Sequence, residues 1–286
     1  MNEAVATGGG TTSADARVAP KSAMSKFGRE LNAILTIAAR DIAITLKTPE
    51  LIFFNLVMSL FFMGFMGGSL EQNMAGHLGF DYKPFMLVGM LVNALFMMTS
   101  LGITSLVEDR KSDFTQEMFV SPISRYSLVL GKIIGAPFSS VSQLLGIMGV
   151  AFIMEIYITP GQLLSLLLVA PLVCLVAGSV ALVIVSFIRN ERAAHMAAMF
   201  LVFPQLFLSG VLIPLNQSSG VLYVLSRLMP MTYCLDLARA LFYSGLPEYS
   251  AVVMNPPVWN LGILACFTAV FLMVGTYCFV RSETRR

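Results

Sequence analysis

Few side chains in this sequence are of types that do chemistry, and none are spaced to do it together. His77 and His195 stand alone and far apart, and Cys174, Cys234, Cys266 and Cys278 are scattered singly through apolar surroundings. No short pair among them is placed to chelate zinc or to cycle as a redox dithiol. The cysteines therefore read as small hydrophobes and the histidines as interfacial or packed residues. Gly131-Lys132-Ile133 comes closest to a phosphate-cradling loop, but it lacks the earlier glycine and the following Ser or Thr that such a loop needs. Nothing resembles the nucleophile, base or metal cluster of a membrane-embedded hydrolase. With a net charge of +2, the chain also lacks the basic surplus of a nucleic-acid binder. The expectation is a protein with no catalytic residue, no metal and no cofactor of its own.

The elements explain that poverty. Of 286 residues, 57% are hydrophobic and only 12% charged, and the mean hydropathy is +0.79. No single soluble core hides so much apolar surface, so the solvent must include lipid. The apolar residues come in blocks that span about 30 Å of hydrocarbon as helices. The blocks predict six transmembrane helices, at 51–70, 85–106, 128–154, 163–188, 195–213 and 258–280. Residues 1–24 are rich in Gly, Ala, Ser and Thr and predict a disordered cytoplasmic tail. In residues 25–47 the apolar positions Phe27, Leu31, Ile34, Leu35, Ala38, Ile42 and Leu46 recur at helical spacing opposite Arg29, Asn32, Thr36, Arg40 and Lys47. That pattern predicts an amphipathic helix lying in the membrane interface, ended by Thr48-Pro49.

The basic residues orient the chain. With the amino terminus inside, fifteen of the 18 Lys and Arg are cytoplasmic, and only Lys83, Arg227 and Arg239 are outside. Both termini, including the tail 281–286, are then cytoplasmic in a multi-pass protein of the cell membrane. The segment 214–257, outside on this topology, is too apolar for an ordinary loop. It predicts a re-entrant helical hairpin between the fifth and sixth spans, since helical backbone satisfies its own hydrogen bonds at membrane depth, the alternative being a loop packed on neighbouring helices outside the membrane. The full expectation is an all-α integral membrane permease domain over 51–280, with a coupling loop at 107–127 and an outer re-entrant segment at 214–257.

Ion-coupled carriers place ionisable groups near the midplane. Here the middles of the six spans carry none, and Lys132 and Glu155 lie near span ends. Asp236 and Arg239, at i and i+3, are spaced to pair on the outer helix. Met58, Met63, Met66, Met86, Met90, Met97 and Met98 concentrate in the first two spans. Such methionines read as packing residues or, in a binding role, as an adaptable lining for greasy substrates. In the cytoplasmic loop, Asp113 is placed to cap a short helix, Phe114 and Met118 share a face, and Ser121-Pro122 stops it. From the residues alone this loop is either a solvated connector or a helix that presses an apolar knob into a partner.

Two motifs decide between these. Thr115, Glu117, Met118, Phe119, Ser121, Pro122, Ile123, Ser124 and Arg125, followed by Gly131-Lys132, resemble the cytoplasmic loop of type-2 ATP-binding-cassette exporter permeases, including the daunorubicin-resistance kind. Downstream, Phe207-Leu208-Ser209-Gly210 and Pro214, then Pro230, Thr232-Tyr233, Asp236 and Arg239, resemble that family's signature at the fifth span and outer helices. Phe114 and Gln116 replace its usual Gly and Leu beside the motif threonine, and a Ser218-Ser219-Gly220 turn replaces a proline. The resemblance implies that the loop is a coupling helix docking on a cytoplasmic ATP-binding-cassette ATPase subunit, through Phe114, Thr115, Glu117, Met118, Ser121, Pro122 and Arg125. It also implies an outer re-entrant gate at Phe207, Ser209, Gly210, Pro214, Pro230, Tyr233, Asp236 and Arg239. ATP and Mg would sit on the ATPase partner, and a second permease copy or a homologous permease would complete the pathway among membrane lipids. The implied function is export of a hydrophobic, drug-like, lipid or glycolipid substrate. The alternatives are a non-transporting scaffold or sensor that recruits the same ATPase, and an ion-coupled carrier.

Overall fold

The computed structural model describes residues 32, 35, 36, 39, 43, 49–69, 79–109, 135, 141–188, 190–215 and 220–284. Among the described residues every regular element is helical. In chain order they are α1 (Pro49–Phe61, continued by a π-helical turn, Phe62–Gly67), α2 (Tyr82–Asp109), α3 (Val141–Ile153), α4 (Pro160–Phe187), α5 (Glu191–Leu208), α6 (Val221–Leu228), α7 (Pro230–Phe242), α8 (Tyr249–Val252) and α9 (Pro257–Thr284).

Local chemistry sets several of the ends. Thr159 and Gln162 form a reciprocal capping box, with Pro160 at the first helical position, so α4 starts where its apolar run starts. The Asn190 side chain accepts from Arg192 N–H at 3.0 Å and opens α5. The residues of α4 are apolar all round, as befits a helix covered by protein on some sides and lipid on others.

Among the described residues three stretches are long and apolar enough to cross a membrane: Tyr82–Thr104, Pro160–Phe187 and Tyr249–Phe279. The pair α6 and α7, bent by 85° at its break, makes a fourth if counted as one broken span. Three further apolar helices are shorter, Leu56–Phe65, Leu144–Ile153 and Arg192–Leu208. The long stretches coincide with the spans expected at 85–106, 163–188 and 258–280, and the short ones fall in those expected at 51–70, 128–154 and 195–213. Of the expected interfacial helix, residues 32, 35, 36, 39 and 43 are described and are helical. The rest of 25–47, the tail 1–24, His77 and Lys132 lie outside the described residues.

Helices α2 and α4 form the centre, with Phe85, Leu87, Val88, Phe96, Val173, Cys174, Val176 and Ala177 wholly buried between their neighbours. Because lipid is as apolar as leucine, close packing and hydrogen bonds must supply the cohesion of such a core. The α4–α9 contact uses both. A Cβ at Gly275 would stand 3.0 Å from Leu182 Cγ and 3.2 Å from Val183 N, so only glycine admits α4 here. Beside it Ser186 Oγ donates to Gly275 O at 2.7 Å.

Candidate functional site

Helices α1, α2 and α5 wall a cavity of about 540 Å³. Helix α1 supplies Phe54, Met58, Ser59 and Phe62, α2 supplies Met90, Asn93, Ala94 and Met97, and α5 supplies Met196, Met199, Phe200, Val202, Phe203 and Leu206. Of the methionines that the sequence concentrates in the first two spans, Met58, Met90 and Met97 line this space, while Met63 and Met86 are packed in the core. The Met66 side chain lies outside the described residues. Met196 and Met199 join the lining from a helix where no methionine was singled out. The lining is thus mobile thioether and aromatic surface, able to refit to differently shaped apolar molecules. One group breaks its uniformity: Asn93 Oδ1 is shielded from water and has no hydrogen-bond partner among the described residues. Such an acceptor keeps a free lone pair for a donor on whatever fills the space.

Lengthwise, α2 and α5 run antiparallel and meet beyond both ends of the cavity. Past Met97 and Met199, Thr104 Oγ1 lies 3.3 Å from the His195 ring nitrogens. Past Met90 and Leu206, Gly89 packs on the turn after α5, where an added Cβ would be only 2.8 Å from Val211 O.

This second meeting point is where the downstream motif gathers. Ser209 caps α5 with its N–H bonded to Gln205 O, and its own Oγ is buried without a partner among the described residues. Gly210 turns the chain at φ +85°, a left-handed conformation that disfavours a side chain. Leu212 O accepts from the Tyr82 hydroxyl, and Pro214 is half-buried nearby. Phe207 is 43% exposed, edge-on to Phe203, and so faces outward rather than into the joint. Pro230 begins α7 after the sharp bend, which two further bonds brace. Thr232 Oγ1 donates to Ser226 O at 2.7 Å and Tyr233 Oη to Arg227 O at 2.9 Å.

Asp236 and Arg239 are both buried, at 2% and 4% exposure. Their spacing suggested a pair, but each turns to its own partners. Asp236 Oδ1 accepts from Met254 N–H at 2.8 Å. Its Oδ2 accepts from Asn255 N–H at 2.9 Å, Asn255 Nδ2 at 3.1 Å and Asn260 Nδ2 at 2.9 Å. The carboxylate thereby ties α7 to the chain entering α9. Arg239 Nη2 donates to Phe85 O at 3.3 Å and Val211 O at 3.4 Å, and the guanidinium carbon lies 3.4 Å from the Phe85 ring centroid. Its Nε is buried without a partner among the described residues. Asn255, Asn260 and Tyr82 were not singled out in the sequence. An amide inside the last apolar block is the one signal that points to Asn260.

The residues assigned to ATPase coupling, Phe114, Thr115, Glu117, Met118, Ser121, Pro122 and Arg125, all lie outside the described residues. Among the described residues no group of His, Cys, Asp and Glu is arranged to hold a metal ion. In comparisons with known proteins, the family model described as ABC-2 type transporter matches residues 32–243, which takes in α1 through α7 and both motifs. No individual curated protein matched.

Proposed function

This chain belongs to the ABC-2 type transporter family as its transmembrane subunit, and from that premise we propose that it is the permease of an exporter whose ATP is hydrolysed on a separate cytoplasmic subunit. The carrying observation is the cavity itself, walled by three helices with Met and Phe side chains and one idle amide oxygen. Its chemistry suits a hydrophobic or amphipathic cargo, drug-like, lipid or glycolipid, with at least one hydrogen-bond donor.

In this reading six spans cross the cell membrane with both termini cytoplasmic, the three shorter apolar helices completing the three long ones. The α6–α7 bend is a re-entrant hairpin on the outer side, and the Gly89–Val211 joint closes the outer end of the cavity. Two copies, or this chain and a homologous permease, form the pathway. The loop bearing Phe114, Glu117, Met118 and Arg125 docks on the ATPase, which holds ATP and Mg. Closure of two ATPase subunits then rocks the helical bundles, and the cavity turns from one face to the other.

Co-expression of the chain with a candidate cytoplasmic ATP-binding-cassette ATPase tests the assignment. The two should co-purify, and Phe114→Asp with Met118→Asp should abolish both co-purification and ATP-dependent efflux from inside-out vesicles. Binding that survives both substitutions defeats the coupling assignment. ATP-independent, gradient-driven movement would mark an ion-coupled carrier, and stable binding with no cargo movement a scaffold.

A further inference from the structure

At one end of the cavity its walls meet through few contacts. Helix α2 and the turn after α5 are what must part there, and each offers one backbone carbonyl at the joint, Phe85 O and Val211 O. A single nitrogen, Arg239 Nη2, donates to both, at 3.3 and 3.4 Å. It arrives from α7, which belongs to neither wall and is anchored separately to the start of α9 through Asp236. The joint leaves room for this cation because position 89 has no side chain. A Cβ there would stand 3.3 Å from Arg239 Nη2 as well as 2.8 Å from Val211 O.

We propose that Arg239 is a clasp that holds α2 to the end of α5 and so closes one end of the cavity, and that cargo leaves when the clasp lets go. This rests on reading the cavity as the cargo site. The contacts have the character of a releasable fastening. Both hydrogen bonds are long, and the guanidinium keeps one N–H idle although it is buried, where an unpaired donor is costly. Full satisfaction would have made the joint rigid. Release also has a destination: Asp236 lies one turn back on α7, and its Oδ1 carries a single hydrogen bond, from Met254 N–H, among the described residues. The i, i+3 spacing that the closed state leaves unused is available to the open one. Arg239 is on this account a positioning residue for the gate and touches no cargo.

The experiment reads access and requires no cargo. Asn93→Cys places a thiol in the cavity of the full-length chain in its native membrane, and a membrane-impermeant maleimide is applied from either face, with the same variants retaining Asn93 as blanks. Adding Arg239→Gln should raise the rate of labelling from one face by about tenfold, the shift expected when an open–closed equilibrium loses a hydrogen bond to a charged group. Adding Gly89→Ala in place of the arginine change should raise it from the same face, by wedging the joint while the clasp residue stays intact. Labelling that rises with Gly89→Ala but not with Arg239→Gln overturns the proposal, because the joint then gates without its arginine. Labelling unchanged in both overturns it too, as does a rise from both faces alike, which is the mark of a collapsed fold. A clasp shown this way in a protein that moves no cargo would leave the clasp standing and defeat the export reading alone.

Discussion

Asp236 and Arg239 show what spacing can and cannot reveal about single residues. Two opposite charges at i and i+3 invite a pair, and a buried helix makes the invitation stronger, since unpaired charge is expensive there. The structure gives each other partners, because Asn255, Asn260 and backbone groups come to them from other elements of the fold. Local spacing encodes no such arrivals. An amide within an apolar block is legible as an anomaly, which is how Asn93 and Asn260 can be flagged, but its partner is not. Replacing Asp236 by Asn sets an amide nitrogen against donors and should cost about 3 kcal/mol, read as a lowered unfolding temperature in detergent. In contrast, Asn93→Leu removes an amide whose buried oxygen has no partner among the described residues. It should leave stability unchanged within about 1 kcal/mol or raise it, while transport of cargoes bearing a hydroxyl or amine falls about tenfold relative to donor-free ones.

Among the elements, legibility followed length and uniformity. The blocks at 85–106, 163–188 and 258–280 are continuous and apolar, and each is one long helix. The block at 195–213 is cut short because Ser209 and Gly210 end the helix in a left-handed turn. The block at 51–70 is interrupted by the π-helical turn at Phe62–Gly67, which no periodicity in the sequence announced. Capping, by contrast, was written locally in Thr159-Pro160-Gly161-Gln162. Thr159→Ala should cost about 1 kcal/mol of stability in a thermal melt. Gly275→Ala is the stronger test of packing, because its Cβ meets Leu182 and the backbone of Val183 at 3.0–3.2 Å. A loss of about 1–3 kcal/mol is expected as α9 is pushed off α4, with Gly262→Ala, whose Cβ meets nothing within 4 Å, as the neutral control.

For the whole molecule, the helices divide into an interior and a margin. The apolar stretch containing α4 is 67% buried and that containing α9 only 17%, so α9 turns most of its surface to what surrounds the protein. Its outward residues include Trp259 near one end and Tyr277 near the other, both 62% exposed, with Arg281 donating to the Tyr277 hydroxyl at 3.4 Å. About five helical turns separate the two rings, which puts them on one face about 27 Å apart. Aromatic side chains of this kind settle at the two water–lipid boundaries. Helix α9 is therefore a ruler for bilayer thickness, and the ruler is fixed at one end, since its Trp259 end begins beside the Asn260 amide that holds Asp236. In lipids much thicker or thinner than the ruler's span α9 must change its tilt or the bilayer must deform around it. Unfolding temperature in nanodiscs of graded acyl length should peak near that span and fall on both sides, and Asn260→Ala should flatten the peak. The carboxylate that fastens α7 to α9 therefore also sets where that ruler begins.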